Sequence, residues 1–207
     1  LHSTSITNEF TIYGDKKSGN CYKIQLTCSL LNIKYKWVDV NIMANECQTP
    51  AFKKLNPNAK IPLLLLSNGQ TISESNAIIN YLAVGSELLP TDPFTLAKVQ
   101  QWQFFEQYSH EPFIAVARFI NKYLGLPKDR QQDYISKQEG GHKALRIMEE
   151  QLKKTDYLVN NKMTMADISL FAYTHVAPEG GVLLDTYPYI RAWITRIEAY
   201  KGYINMG

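Results

Sequence analysis

Lys17-Ser18-Gly19-Asn20-Cys21-Tyr22-Lys23-Ile24 is the stretch whose reading decides the fold. It follows the apolar run Phe10-Thr11-Ile12-Tyr13 and opens an amphipathic run, Ile24-Gln25-Leu26-Thr27-Cys28-Ser29-Leu30-Leu31. A small hydroxyl residue and an amide thus stand where a strand passes into a helix, at a turn whose backbone N–H groups lack partners within the helix. Such a turn is suited to holding an anion. Taken alone, the octapeptide is equally consistent with a plain helix cap, and the rest of the chain decides between the two.

Downstream lies a second strand-like run, Trp37-Val38-Asp39-Val40, then Asn56-Pro57-Asn58-Ala59-Lys60-Ile61-Pro62 and Leu63-Leu64-Leu65-Leu66. The pair Asn68-Gly69 before Thr71-Ile72 is a hairpin signal. Beyond it, Ala77, Ile78, Tyr81 and Leu82 have helical spacing, with Ser73 or Ser75 available as a cap. The order strand, helix, strand, helix, strand, strand, helix predicts a thioredoxin-like α/β domain over residues 8–85.

The second half has a different texture. Asp92-Pro93 starts a helix, and a long amphipathic run continues to about Tyr123, where Gly125-Leu126-Pro127 ends it. A second run spans about Asp129 to Lys154, and the last spans about Tyr187 to Tyr200. Between them, Thr164-Met165-Ala166-Asp167 has the spacing of a capping box, read as structural and not chemical. The fold class is α/β plus all-α: a thioredoxin-like domain, then a helical bundle over 93–207.

Bulk properties agree. The 207 residues suit two small packed units and allow a core without disulfide or metal. A net charge of +3 with dispersed lysines argues against nucleic-acid binding. No apolar run is long enough to cross a bilayer, and no secretory signal pattern is present, so a cytoplasmic protein is expected. The opening Leu1-His2-Ser3-Thr4-Ser5 lacks a methionine and is read as partly a remnant foreign to the fold. Three cysteines, Cys21, Cys28 and Cys47, with scattered histidines, predict neither a disulfide scaffold nor a metal site.

Three motifs in this order, Ser18-Gly19-Asn20-Cys21, Lys60-Ile61-Pro62 and Glu74-Ser75-Asn76-Ala77-Ile78, carry a resemblance to the cytosolic glutathione transferases that runs nearly end to end. Ser18-Gly19-Asn20-Cys21 occupies the place of the Cys-x-x-Cys of thioredoxins, with serine for the attacking cysteine. A two-cysteine redox cycle is therefore not expected; Cys21 and Cys28 are read as packed, with a redox role for Cys21 the alternative. The resemblance implies a tripeptide site with glutathione as cosubstrate and no metal, and a homodimer. It points to Ser18 as the hydroxyl facing the glutathione sulfur. Ser-Gly-Asn-x-x-Lys-Ile is also similar to the Thr-Pro-Asn-x-x-Lys-Ile turn of the nu class of glutathione-dependent disulfide reductases, which adds Asn20 as a donor. Ile61-Pro62 resembles the family's cis-proline turn, implying a main-chain pairing of Ile61 with the cysteinyl amide; a trans proline opening a strand is the alternative. Glu74 and Ser75 are implied to receive the γ-glutamyl ammonium and carboxylate. Glu74 as simple dipole compensation is the bland alternative. Lys60, Lys53 and Lys54 are candidates for the glycyl carboxylate.

The chemistry sets a quantitative demand. A free thiol with a pKa of about 8.5 is only about 3% ionised at pH 7, and lowering that pKa by about two units takes roughly 2.7 kcal/mol. A helix terminus supplies about 0.3–1 kcal/mol, up to about 2 when partly buried. One hydrogen bond to a charged group supplies about 1.5–3 kcal/mol. Together, a serine hydroxyl and a helix N-terminus suffice.

The acceptor is expected near Tyr108-Ser109-His110-Glu111-Pro112-Phe113, where Pro112 should kink the helix and shape a pocket rimmed by Tyr108, His110, Phe113 and Arg118. The alternative is that the proline only bends the helix and these side chains pack. Three functions stay open: transfer of glutathione to small hydrophobic electrophiles, glutathione-dependent reduction of disulfides or peroxides, and a non-catalytic interaction module on the same fold. Ser18, Asn20, Pro62, Glu74 and Ser75 standing together favour an enzyme.

Overall fold

In the computed structural model residues 9–207 are described; the Leu1–Ser5 opening, and residue 8 at the expected start of the first domain, lie outside them. The chain divides after Leu82, and Asn205–Gly207 belong with the first unit.

The first unit is built on a four-stranded sheet: β1 (Phe10–Gly14), β2 (Tyr35–Asp39), β3 (Leu63–Leu65) and β4 (Thr71–Ser73), in the order β2-β1-β3-β4. β1 and β2 run parallel, joined through α1 (Gly19–Leu30); β3 is antiparallel to both β1 and β4. The short α2 (Pro50–Leu55) starts at Thr49, whose hydroxyl accepts from Phe52 N, and α3 (Ser75–Ala83) follows β4 directly. The β3–β4 turn closes as its sequence predicts. Leu66 and Gln70 pair at 2.8 Å, and Gly69 takes a φ of 85° that a side chain would resist.

Eight of the twelve residues of α1 are buried, including Lys23 and Thr27, so the helix lacks the polar face expected of an amphipathic run. The Thr27 hydroxyl is satisfied locally, donating to Lys23 O at 2.8 Å. Close approach to the sheet depends on Gly14, where a Cβ would come within 2.9 Å of Cys21 Sγ and 2.7 Å of the Trp37 ring. On the α2 side, Val40, Cys47, Phe52 and Leu63 form a small core with Tyr13 and Ile61 packed against it.

The second unit is helical throughout its regular elements: α4 (Pro93–Phe105), α5 (Glu111–Arg118), α6 (Gln131–Leu152), α7 (Met165–Thr174) and α8 (Pro188–Glu198). The long run to Tyr123 is not one regular helix. Five-residue π turns at Glu106–His110 and Phe119–Tyr123 flank α5, and Pro112 sits in the first turn of α5, where its missing N–H costs no helical bond. All ten residues of α7 are buried, and the Thr164–Asp167 capping box is formed. Asp167 also accepts from Leu158 N at 2.9 Å and from the Trp193 indole at 2.8 Å, so one carboxylate ties three segments. Among the described residues no helix is long and apolar enough to cross a membrane.

Candidate active site

The sheet register brings the three motifs of the first unit to one end of the sheet. Tyr13 of β1 pairs with Leu63 of β3, and Leu63 pairs with Ser73 of β4, so these three residues form one row across the sheet. Beyond that row β1 leads into the turn carrying Ser18, β3 is entered through Ile61-Pro62, and β4 exits into Glu74-Ser75. Three motifs separated by some forty and ten residues in sequence thus emerge at one end of one sheet.

At the first motif the chain turns tightly, with Ser18 N donating to Asp15 O at 3.0 Å and Lys17 N to Asp15 Oδ1 at 2.9 Å. Ser18 caps α1; its half-buried hydroxyl accepts from Cys21 N at 3.4 Å. That is a long bond that leaves the serine proton available for donation. Cys21 is fully buried, and burial pushes its thiol up to about 12, the neighbouring Ser18 hydroxyl only partly opposing this. Cys28 is also buried and is pushed up to about 12 by the same cause. All three cysteines are free thiols.

At the second motif the Ile61–Pro62 bond is cis. The preceding loop is pinned by Asn56, a buried side chain whose amide donates to Lys60 O at 2.8 Å while its oxygen accepts from Asn58 N at 3.2 Å. Lys60, Lys53 and Lys54 are exposed, the latter two in the last turn of α2.

At the third motif Glu74 has a φ of 70°, in the left-handed region that non-glycine residues rarely adopt, while its carbonyl accepts from Ile78 N to begin α3. The twist leaves the Glu74 side chain exposed and turns Ser75 inward, 3% exposed. Backbone strain of this kind, about 1–3 kcal/mol, concentrates at ligand sites. Ser75 reaches the first motif directly: its hydroxyl donates to Asn20 Oδ1 at 3.2 Å, and Lys23 Nζ donates to both Asn20 Oδ1 (2.9 Å) and Ser75 Oγ (3.1 Å).

The four residues expected around the acceptor separate. Tyr108 and Phe113 line a cavity of about 230 Å³ with Gly140, Lys143, Ala144 and Ile147. The Phe113 ring packs against Gly140, where a Cβ would come within 2.1 Å of it. His110 and Arg118 do not line it. His110 is fully buried with Nε2 2.8 Å from Thr174 Oγ1, and Arg118 is buried with its guanidinium 2.5 Å from Glu179 Oε2. Both stand on the buried row Glu106, His110, Ile114, Arg118, four residues apart, so they face the interior of the helical unit. Two residues that sequence reasoning quoted in these motifs without assigning them a role are buried beside them. Asn56 and Lys23 are both polar and buried, and polar side chains in a loop or at a helix position read as solvated. Among the described residues, no group of three or more histidines, cysteines and carboxylates is placed to hold a metal ion.

A four-stranded thioredoxin-like sheet followed by an all-helical second unit is the architecture of the glutathione transferases. Residues 18–84 match the family model described as glutathione S-transferase, N-terminal domain, and residues 101–200 match glutathione S-transferase, C-terminal domain. The chain belongs to the glutathione S-transferase family and is an enzyme of that class. A glutathione S-transferase structure from Pseudomonas fluorescens superposes with a TM-score of 0.94 at 52% identity, over 95% of this chain and 98% of that one. Glutathione S-transferase 1 of Schizosaccharomyces pombe is 30% identical over 178 residues, 81% of this chain and 75% of its own length. The glutathione transferase URE2P6 of Phanerochaete chrysosporium, solved in complex with oxidized glutathione, shares the fold with a TM-score of 0.83 at 24% identity, over 94% of this chain and 93% of that one.

Proposed function

We propose that the end of the sheet beyond Tyr13, Leu63 and Ser73 binds glutathione, and that the bound thiolate attacks small hydrophobic electrophiles. In this reading a carbon–sulfur bond forms and the leaving group departs with its electron pair. The observation that carries the reading is the register, which brings the Ser18, Pro62 and Glu74 motifs to one edge. Ser18 donates its hydroxyl proton to the sulfur, and Asn20 supplies a second donor through Nδ2. The Ile61 main chain pairs with the cysteinyl amide, Ser75 and the start of α3 receive the γ-glutamyl carboxylate, and Glu74 pairs with the ammonium. Lys53 and Lys60 serve the glycyl carboxylate. Tyr108 and Phe113 offer an aromatic wall to an acceptor. The protein is proposed to act in the cytoplasm as a homodimer.

Glutathione-dependent reduction of a disulfide or peroxide is the second reading. It is favoured by the hydrogen bond between Asn20 and Lys23, two of the three residues, with Ile24, that this turn shares with the reductase-type motif.

The test is a pH titration of glutathione bound to the protein, followed by thiolate absorbance. The expected result is a thiol pKa at least one unit below that of free glutathione. Ser18→Ala should return most of that shift and Asn20→Ala a smaller part. Equal pKa values in the parent and both variants would remove both assignments. Absence of glutathione binding would favour a non-catalytic module.

A further inference from the structure

Lys23 lies in the second turn of α1 with its side chain fully buried, and it is not among the residues to which a ligand contact is assigned above. Its ammonium donates to Asn20 Oδ1 and Ser75 Oγ, while the Ser75 hydroxyl donates to Asn20 Oδ1, closing a triangle between α1 and α3. An ammonium carries donors only, so the contact settles which end of the Asn20 amide faces it. The oxygen is held by Lys23 and Ser75, so it is Nδ2 that is left to donate to a ligand.

The triangle also has a proton count. Ser75 has one O–H, and Asn20 receives it. To donate to a carboxylate the hydroxyl has to rotate, and Asn20 Oδ1 then loses one of these two donors. The Lys23 bond to Asn20 does not depend on that proton. Its charge also stands directly behind the hydroxyl, where it favours an anion arriving at Ser75.

We propose that Lys23 is a positioning residue of the glutathione site, holding Asn20 with Nδ2 outward while the Ser75 hydroxyl turns to the γ-glutamyl carboxylate. This rests on the glutathione reading. It adds that the two ends of the tripeptide site are coupled through one buried ammonium, so that occupation of the carboxylate end does not release the donor at the thiolate end.

The experiment compares the parent with Lys23→Met, using S-methylglutathione, which has no ionisable thiol, and glutathione itself. Loss of one charge-assisted bond is expected to weaken S-methylglutathione binding by about tenfold or more. The bound glutathione thiol should also move back toward its free pKa, lowering the thiolate fraction at pH 6.5 several-fold. A lysine that only supports the fold would lower the melting temperature and leave the affinity and the thiol pKa at parental values, and that result overturns the proposal. If the parent itself fails to bind S-methylglutathione, the glutathione reading falls, and this inference with it. A parent that binds normally beside an unaltered variant removes the inference alone. Should Lys23→Met not fold, parent protein labelled with ¹⁵Nζ-lysine answers the same question. A slowly exchanging ammonium signal that shifts on saturation with S-methylglutathione supports the proposal, and a signal that does not move overturns it.

Discussion

Cys21 shows how little sequence proximity says about reactivity. It lies one helical turn from the Ser18 hydroxyl, yet burial pushes its thiol up to about 12, and Cys28 shares that value. A folded-state pKa above the ordinary 9.0 means the unfolded chain gives up these protons first. The two thiols therefore leave stability unchanged below about pH 8 and erode it from about pH 9 toward 12. At pH 8 the thiolate fraction is roughly a thousandfold below that of an unperturbed cysteine. Iodoacetamide at pH 8 should leave Cys21 and Cys28 unlabelled in the folded protein and label all three cysteines in urea, read by intact mass. Fast labelling of Cys21 in the folded state would reopen a redox role for it. That Cys21 packs was legible from its helical spacing with Cys28. That Lys23 packs beside it was not, because a lysine at a helix position reads as solvated until its two oxygen partners, one of them 52 residues away, are brought to it.

At the scale of elements, order and type were legible almost throughout, because the apolar periods of the strands and helices changed where Gly, Pro and capping residues fell. The exception is instructive. The long run from Phe94 to Tyr123 is broken by two π turns, and of the acceptor rim expected from a kink at Pro112, His110 and Arg118 lie on a buried row with Glu106 and Ile114, facing the interior. No local signal in Glu106–His110 marks a π turn, and its last residue, His110, meets Thr174 of α7. The capping box at α7 was readable because both partners lie within four residues, whereas the Leu158 and Trp193 bonds to Asp167 were not. Asp167→Ala strands three buried N–H donors together. At about 1–3 kcal/mol each, incompletely additive, a loss of about 4 kcal/mol in urea unfolding at pH 7 is expected. A loss under about 1 kcal/mol would mean those donors find other acceptors.

At the scale of the molecule, the two halves differ in legibility. The residues proposed to bind glutathione belong to turns fixed by the sheet, so short motifs name them. An acceptor site is made of helix faces, whose ligand no motif names. The exposed apolar side chains bear on assembly: Phe94, Phe104 and Ile135 are 75%, 72% and 58% exposed on the long helical elements. Family resemblance puts a subunit interface on such helices. Sedimentation should give a dimer of about 47 kDa, twice 23.7 kDa, and Phe104→Asp should shift it toward the monomer, as burying an unpaired charge opposes association. A parent that sediments at 23.7 kDa at micromolar concentration would exclude the homodimer.

The left-handed backbone at Glu74 carries an implication for how such a chain can change over generations or in a selection experiment. Glycine would adopt that conformation without the steric penalty, so replacing Glu74 should raise thermal stability by about 1 kcal/mol. It would also delete the carboxylate assigned to the glutathione ammonium. Selection for heat resistance alone therefore favours glycine at this position, and, on the proposed glutathione reading, selection for turnover favours glutamate. Residue 74 is where the two pressures on this protein point in opposite directions.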